Sequence, residues 1–344
     1  MMRSSTSQLQ SCLCTQAQLE SDTFQAWAKR MGEQPGRLHR KIWEWCYIVQ
    51  GLHERGLLQP GRRGLGFAVG LEPLAAFMAS YGCEITATDL ELDRAAEAGW
   101  VKTQQHARNL AMLNERQLCD PRDFARRVSF RHVDMNQIPD DLKGYDFTWS
   151  ACSLEHIGSL ALGEQFVYNS LACLKPNGVA IHTTEFNVSS NTHTVDYRST
   201  VLFRRQDMER MAKSLTDRGQ TIEPFAFNTG DLPVDQLVDV PPFRNDRHLK
   251  LLLRKKYVCT SVGFIITKTS DVIPQAPRFV TPRTLRAHLQ PISRWLRGRL
   301  RWLRNGTSHS PRTPSSFNDE ATTSQPAARS RPTQSGRRDS NPRP

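Results

Sequence analysis

Three groups of residues in this chain of 344 have types and spacings that could do chemistry. The first lies in the stretch GRRGLGFAVGLEPLAAFMASYGCEITATDL, residues 61–90. There Gly66, Ala68 and Gly70 follow a short apolar run, and Asp89 closes a second β-prone run. Small residues let a backbone approach a ligand closely, and a following helix start offers free N–H groups. A carboxylate at the end of the next strand can accept two hydrogen bonds from ribose hydroxyls. The second group is Asp134 and Met135, directly after a third β-prone run. The third lies in YDFTWSACSLEHIG, residues 145–158, where a strand carrying Ser150 runs into a polar loop carrying Glu155 and His156. A hydroxyl nucleophile must lose a proton, and these two side chains are the candidate bases, His156 first because its ordinary pKa lies closest to neutral. His182 alternates within a buried-strand pattern and reads as a core histidine.

Elements must hold these groups in place. Phe24 to Leu58 has a helical pattern, with Leu38, Ile42, Trp45, Ile48 and Val49 near one face. Strands are expected at 65–69, 83–89, 128–135, 145–151 and 178–186, and helices at 72–80, 92–118, 160–174 and 203–218. TIEPFAF and KYVCTSVGFIITK read as two final strands. Strands alternating with helices point to an α/β fold with a doubly wound, mostly parallel sheet and helices on both faces. Residues 1–20 are polar and expected to be flexible, and a domain is expected over 21–270.

These elements, in this order, resemble a class I S-adenosylmethionine-dependent methyltransferase over residues 35–270. The resemblance implies a Rossmann-like sheet of seven strands, the last antiparallel, and S-adenosyl-L-methionine as cofactor. It implies that Gly66, Ala68 and Gly70 cradle the methionine part and that Asp89 binds the ribose. Asp134 with Met135 would contact the adenine, and Ser150, Ala151 and Cys152 would line the site near the sulfonium. Two departures stand out. The position two before the first glycine, usually acidic in the family, is Gly64, and the middle glycine is Ala68. Glu72 is the residue placed to substitute for the missing acid. An NAD(P)-dependent oxidoreductase is the rival enzyme class, against which the lack of G-x-G-x-x-G counts. A non-catalytic scaffold is the third reading, which Gly64 favours.

Between the fifth strand and the next helix, Asn187, Asn191, His193, Tyr197 and Arg198 suit a hydroxyl-rich ligand, so the expected acceptor is a small molecule or glycan methylated on oxygen. VPPF at 240–243 lacks the polar first residue and the position of the signature found in exocyclic-amine methyltransferases, and is rejected. Eight scattered cysteines without a C-x-x-C suit a reduced cytoplasm, where thiols pack as small hydrophobes, and no metal is expected. No apolar h-region opens the chain, so no signal peptide is expected. Residues 275–344 hold fourteen Arg against Asp319, Glu320 and Asp339, which is eleven of the net +12. The remainder is close to neutral, so no specific nucleic-acid partner is expected. Residues 271–304 read as a linker and a basic helix. Within it PISRWLRGRLRWLR, at 291–304, suits peripheral contact with an anionic, inner-membrane surface. Residues 305–344 are expected to be disordered.

Overall fold

The computed structural model describes residues 8–97, 106–107, 109–197, 200–243 and 246–275. The chain enters through a short strand, β1 (Ser11–Leu13), and three helices, α1 (Gln16–Glu20), α2 (Asp22–Arg30) and α3 (Arg40–Glu54). Then come β2 (Arg63–Gly66), α4 (Leu74–Ser80), β3 (Glu84–Asp89), α5 (Leu92–Glu97), α6 (Pro121–Arg127), β4 (Val128–His132), β5 (Tyr145–Ala151), α7 (Leu160–Ala172) and β6 (Leu174–Asn187). The last part holds α8 (Arg205–Thr216), the two-residue strands β7 (Thr221–Ile222), β8 (Phe225–Ala226) and β9 (Val238–Asp239), and the hairpin of β10 (Lys250–Leu253) and β11 (Tyr257–Thr267).

The strands form one sheet in the order β4-β3-β2-β5-β6-β11-β1-β8. The first five run parallel, and β11 pairs antiparallel with β6, from Cys259 opposite Asn187 to Thr267 opposite Val179. The order reverses at β2, which pairs β3 on one side and β5 on the other. This is the doubly wound, Rossmann-like α/β fold, a class in which the ligand crevice lies outside the carboxyl ends of the strands at such a reversal, here β2 and β5. One face carries α3 and α4 over Phe77, Trp149, Ile181 and Ile265. The other carries α7 and α8 over Phe67, Phe166, Phe264 and Ile266. All eight cysteines are buried and free, as small core hydrophobes.

Among the described residues the expected sheet carries additional short strands, β1, β9 and β10, and the sixth strand is split into β7 and β8. Three expectations are corrected. The described part of the expected flexible lead, residues 8–20, is ordered structure. From Ser11 the chain is built into the sheet beside β11, with Cys12 opposite Gly263 and the Cys14 N–H donating to Ser261 O at 2.9 Å. A strand buried on both faces needs no alternation, so Ser-Cys-Leu-Cys gives little periodic signal. The helix expected from Phe24 to Leu58 is two helices, parted where Gly32 and Gly36 take φ of 82° and 76°. The helix expected over 92–118 is interrupted as well, because the Ala107 N–H donates to Asp89 Oδ2 at 3.1 Å and draws the chain onto the end of β3. The basic segment 291–304 and the tail 305–344 lie outside the described residues, and no described helix is long and apolar enough to cross a membrane.

Helix α3 lies directly on the sheet. A Cβ at Gly51 would come 2.7 Å from Ile181 Cδ1, and one at Gly263 would come 2.4 Å from the Tyr47 ring. Leu38, Ile42, Trp45, Ile48 and Val49 are buried, as their spacing predicts. Inside the sheet, β2 touches β5 just as closely: a Cβ at Gly64 would lie 2.3 Å from the Phe147 ring. Gly64→Ala is therefore expected to destabilise by about 1–3 kcal/mol through overpacking. Adding Phe147→Leu should recover part of that loss, read as a coupling energy in denaturant titrations of the single and double variants.

Candidate functional site

Three connections meet at the reversal point. After Gly66 the chain turns through Ala68 and Gly70, both left-handed with φ of 47° and 52°. An alanine in that region is strained by about 1–2 kcal/mol, so its neighbours must hold it there. They do: Phe67 N–H donates to Trp149 O at 2.9 Å, and Val69 N–H to Thr88 O at 3.0 Å. Thr88 Oγ1 closes the turn by donating to Gly66 O at 2.8 Å. Gly66 cannot be larger, since a Cβ would lie 2.3 Å from the Trp149 indole. Asp89 is buried behind the turn. Its Oδ2 accepts from Gly70 N at 3.2 Å and Ala107 N, and its Oδ1 accepts from Leu90 N at 2.8 Å. A carboxylate offers about four acceptor positions, so one is left on Oδ1. His106 Nε2 stands 3.9 Å from Oδ1. Burial raises the Asp89 pKa against the pull of His106 and these N–H groups.

Asp134 and Met135 lie two residues beyond β4. Met135 is buried, and Asp134 is half-buried with Oδ1 accepting from Asn136 N at 2.9 Å. Ser150 sits on β5 near its carboxyl end, but its hydroxyl points away from the crevice onto His182 Nδ1, at 2.8 Å. His182 Nε2 lies 3.1 Å from Ser170 Oγ, which itself donates to Val167 O at 2.7 Å. Ser170 thus accepts from Nε2–H, leaving Nδ1 to accept from Ser150. Burial drops the His182 pKa to about 3, and the side chain is a satisfied core histidine. Any direct ligand contact at Ser150 is thereby left to its main chain.

The first turn of α3 brings in a group that spacing did not single out. Arg40, fully buried, donates to Glu44 Oε1 at 3.1 Å, to Ser261 Oγ at 2.9 Å, to Cys152 Sγ at 3.5 Å and to Glu185 Oε1. Glu44 Oε1 also accepts from Ser261 Oγ at 2.6 Å and Cys152 Sγ at 3.0 Å. Lys41 Nζ lies 2.7 Å from Glu44 Oε2, 3.3 Å from Glu72 Oε1 and 3.4 Å from Ala151 O. Burial would raise the Glu44 carboxyl, yet Lys41 and Arg40 pull it down to about 2. Burial works against the Arg40 charge too, but Glu185 and Glu44 hold its pKa above the ordinary value. Arg40 and Glu44 stand at i and i+4, which in sequence reads as a solvated surface pair.

Glu155 and His156 follow β5 as expected. Neither caps the following helix: Ser159 does that, accepting from Leu162 N. Glu155 is fully buried, and its Oε2 accepts from Thr184 Oγ1 at 3.0 Å. Its Oε1 has no hydrogen-bond partner among the described residues and lies 3.8 Å from His156 Nε2. Burial, then the charges of Glu185 and Glu44, push the Glu155 pKa up to about 7. His156 Nδ1 lies 3.2 Å from Thr200 Oγ1. A buried carboxyl that titrates near neutrality with one oxygen unmatched is suited to taking a proton.

The loop after β6 is differently used than its composition suggests. Asn187 folds it from within, with Oδ1 accepting from Ser189 N and Ser190 N and Nδ2 donating to His193 O at 3.0 Å. Asn191 accepts from Gln206 N at 2.7 Å, and Arg204 pairs with Asp207 to begin α8. Tyr197 is exposed, and Arg198 lies outside the described residues.

No protein-family model matches the chain, and no curated protein matches it. Among solved structures it is similar to a magnesium protoporphyrin IX methyltransferase from Synechocystis PCC 6803 with bound S-adenosylmethionine, at 12% identity over 73% of this chain and 94% of that one, TM-score 0.40. It is similar to an S-adenosylmethionine-dependent methyltransferase from Methanosarcina mazei, at 12% identity over 64% and 98% of the two chains, TM-score 0.41. A glycopeptide N-methyltransferase is similar at 13% identity over 66% and 94%, TM-score 0.38.

The ionic network makes its own prediction. Arg40→Met removes the buried guanidinium that Glu185 and Glu44 share, leaving Lys41 on Glu44, and is expected to destabilise by about 3–5 kcal/mol in denaturant unfolding. Adding Glu185→Gln and Glu44→Gln should return a large part of that loss.

Proposed function

We propose that the protein is an S-adenosylmethionine-dependent methyltransferase acting on oxygen of a small or glycan-like acceptor. The observation that carries this reading is the placement of Glu155. It is a fully buried carboxyl pushed up to about 7 by burial and by Glu185, and it lies in the connection after β5, the strand that pairs with β2 ahead of the turn Gly66–Gly70. The residues present suit the cofactor. Asp89 keeps an acceptor position at the end of β3, and Asp134 and Met135 stand beyond β4 for the base. The main chain of Ala68 and Gly70 offers close approach, and Glu72 with Lys41 brings one charge of each sign to the amino-acid end.

When bound, the cofactor supplies a methyl carbon already activated by its sulfonium, so alignment of acceptor oxygen and methyl is the main requirement. Glu155 Oε1 accepts the acceptor's hydroxyl proton, while Thr184 holds Oε2 and fixes the carboxyl plane. His156, at 3.8 Å, stabilises the carboxylate or receives its proton afterwards. Fixed Arg40–Glu44 and Arg40–Glu185 contacts keep the surroundings from rearranging as that proton moves.

Two measurements test this. Calorimetric titration of the full chain should give micromolar binding of S-adenosylmethionine and S-adenosylhomocysteine, lost in Asp89→Ala, and none of NADH; binding of NADH alone would overturn the assignment. With a sugar or polyol that turns over, the rate should rise tenfold per pH unit below about 7 and level off above it, because the base works only when unprotonated. Glu155→Gln should lower turnover by about 10²–10⁴-fold and flatten that profile, with cofactor affinity little changed.

A further inference from the structure

Position 64, on the strand that leads into the glycine turn, has no room for a carboxylate. At Gly64 a Cβ would meet Phe147 at 2.3 Å and Ile85 at 3.0 Å. A ligand with an amino-acid end at the reversal point must therefore find its counter-charges on other elements. Two side chains bring them from opposite sides. Glu72 follows the turn, and Lys41 projects from the first turn of α3, with Nζ and Oε1 3.3 Å apart. Lys41 also reaches Ala151 O at the carboxyl end of β5. Their side chains are 17% and 14% exposed, whereas those of Arg40 and Glu44 beneath them are 0% exposed. The inner pair is sealed, and the outer pair reaches solvent.

Resting on the cofactor reading above, we infer that Lys41 and Glu72 form a clamp for the amino-acid end of S-adenosylmethionine, Glu72 taking the α-ammonium and Lys41 the α-carboxylate. The two charges are complementary to a zwitterion and bind each other in its absence. Parting them costs little, because a partly exposed ion pair contributes little and Lys41 keeps Glu44 at 2.7 Å. The flexible four-carbon stem of Lys41 allows the shift. The clamp also explains how a chain with glycine at position 64 and no nearby strand carboxylate keeps the site charged for such a ligand. Glu72 offers a second readout: burial raises its pKa to about 7 despite Lys41, so an arriving ammonium should displace its proton.

The experiment compares S-adenosylhomocysteine with 5′-methylthioadenosine, which shares the nucleoside but lacks the amino-acid end. Calorimetry of the full chain, Glu72→Gln and Lys41→Met would be run at pH 7 in two buffers of different ionisation enthalpy. The wild type should prefer S-adenosylhomocysteine by tenfold or more and release a fraction of a proton on binding it, with none released by methylthioadenosine. Each variant should narrow the preference by about tenfold, leave methylthioadenosine affinity within about twofold, and, for Glu72→Gln, abolish proton release. Retained methylthioadenosine binding reports that the variant is folded. An unchanged preference in both variants, or equal loss of both ligands, overturns the clamp while the cofactor assignment stands. Failure of the wild type to bind either nucleoside overturns both.

Discussion

The buried guanidinium of Arg40 holds the working end of the molecule together. It joins four pieces of chain that are distant in sequence: its own helix through Glu44, β6 through Glu185, β11 through Ser261 and the turn after β5 through Cys152. Burying a charge is costly unless it is paired and hydrogen-bonded, and Arg40 meets that condition only when α3 lies across the carboxyl ends of β5 and β6. The ion pair thus specifies where the helix starts. The apolar contacts of Tyr47 and Gly51 specify how closely it lies on the sheet.

That seating sets the electrostatics of everything nearby. Two cations, Arg40 and Lys41, face four carboxylates, Glu44, Glu72, Glu155 and Glu185. Glu44, held between both cations, is driven down to about 2. Glu72 and Glu155, farther from compensation, are pushed up to about 7 by burial. The same residue type therefore takes two protonation behaviours within one site, and the difference comes from distance to Arg40 and Lys41.

Much of the fold was legible in the sequence. Strand β5 lies at 145–151 as expected, because a fully buried parallel strand leaves a continuous apolar run bounded by turn residues. Gly66, Gly70 and Asp89 were legible through their spacing. Other features depend on partners far away in the chain. Strand β1 is three residues long and is stabilised by β11, some 250 positions later. Asn187 and Asn191 look like ligand-binding amides in sequence, yet their hydrogen bonds go to their own loop and to the start of α8. Arg40 and Glu44 look like a surface pair because the i, i+4 spacing cannot say whether a sheet lies beneath them.

The contrast between His182 and Glu155 gives a physical rule for telling a structural polar group from a chemical one here. Both are fully buried, and both have pKa values shifted by burial, His182 to about 3 and Glu155 to about 7. His182 has a partner on each nitrogen, Ser150 and Ser170, so its neutral form is completely satisfied and nothing favours a change of state. Glu155 has Thr184 on one oxygen and, among the described residues, no hydrogen bond on the other. A buried carboxyl in that condition stores free energy that a protein without use for it would lose by substitution. The unmatched oxygen, rather than the size of the pKa shift, is what separates Glu155 from His182.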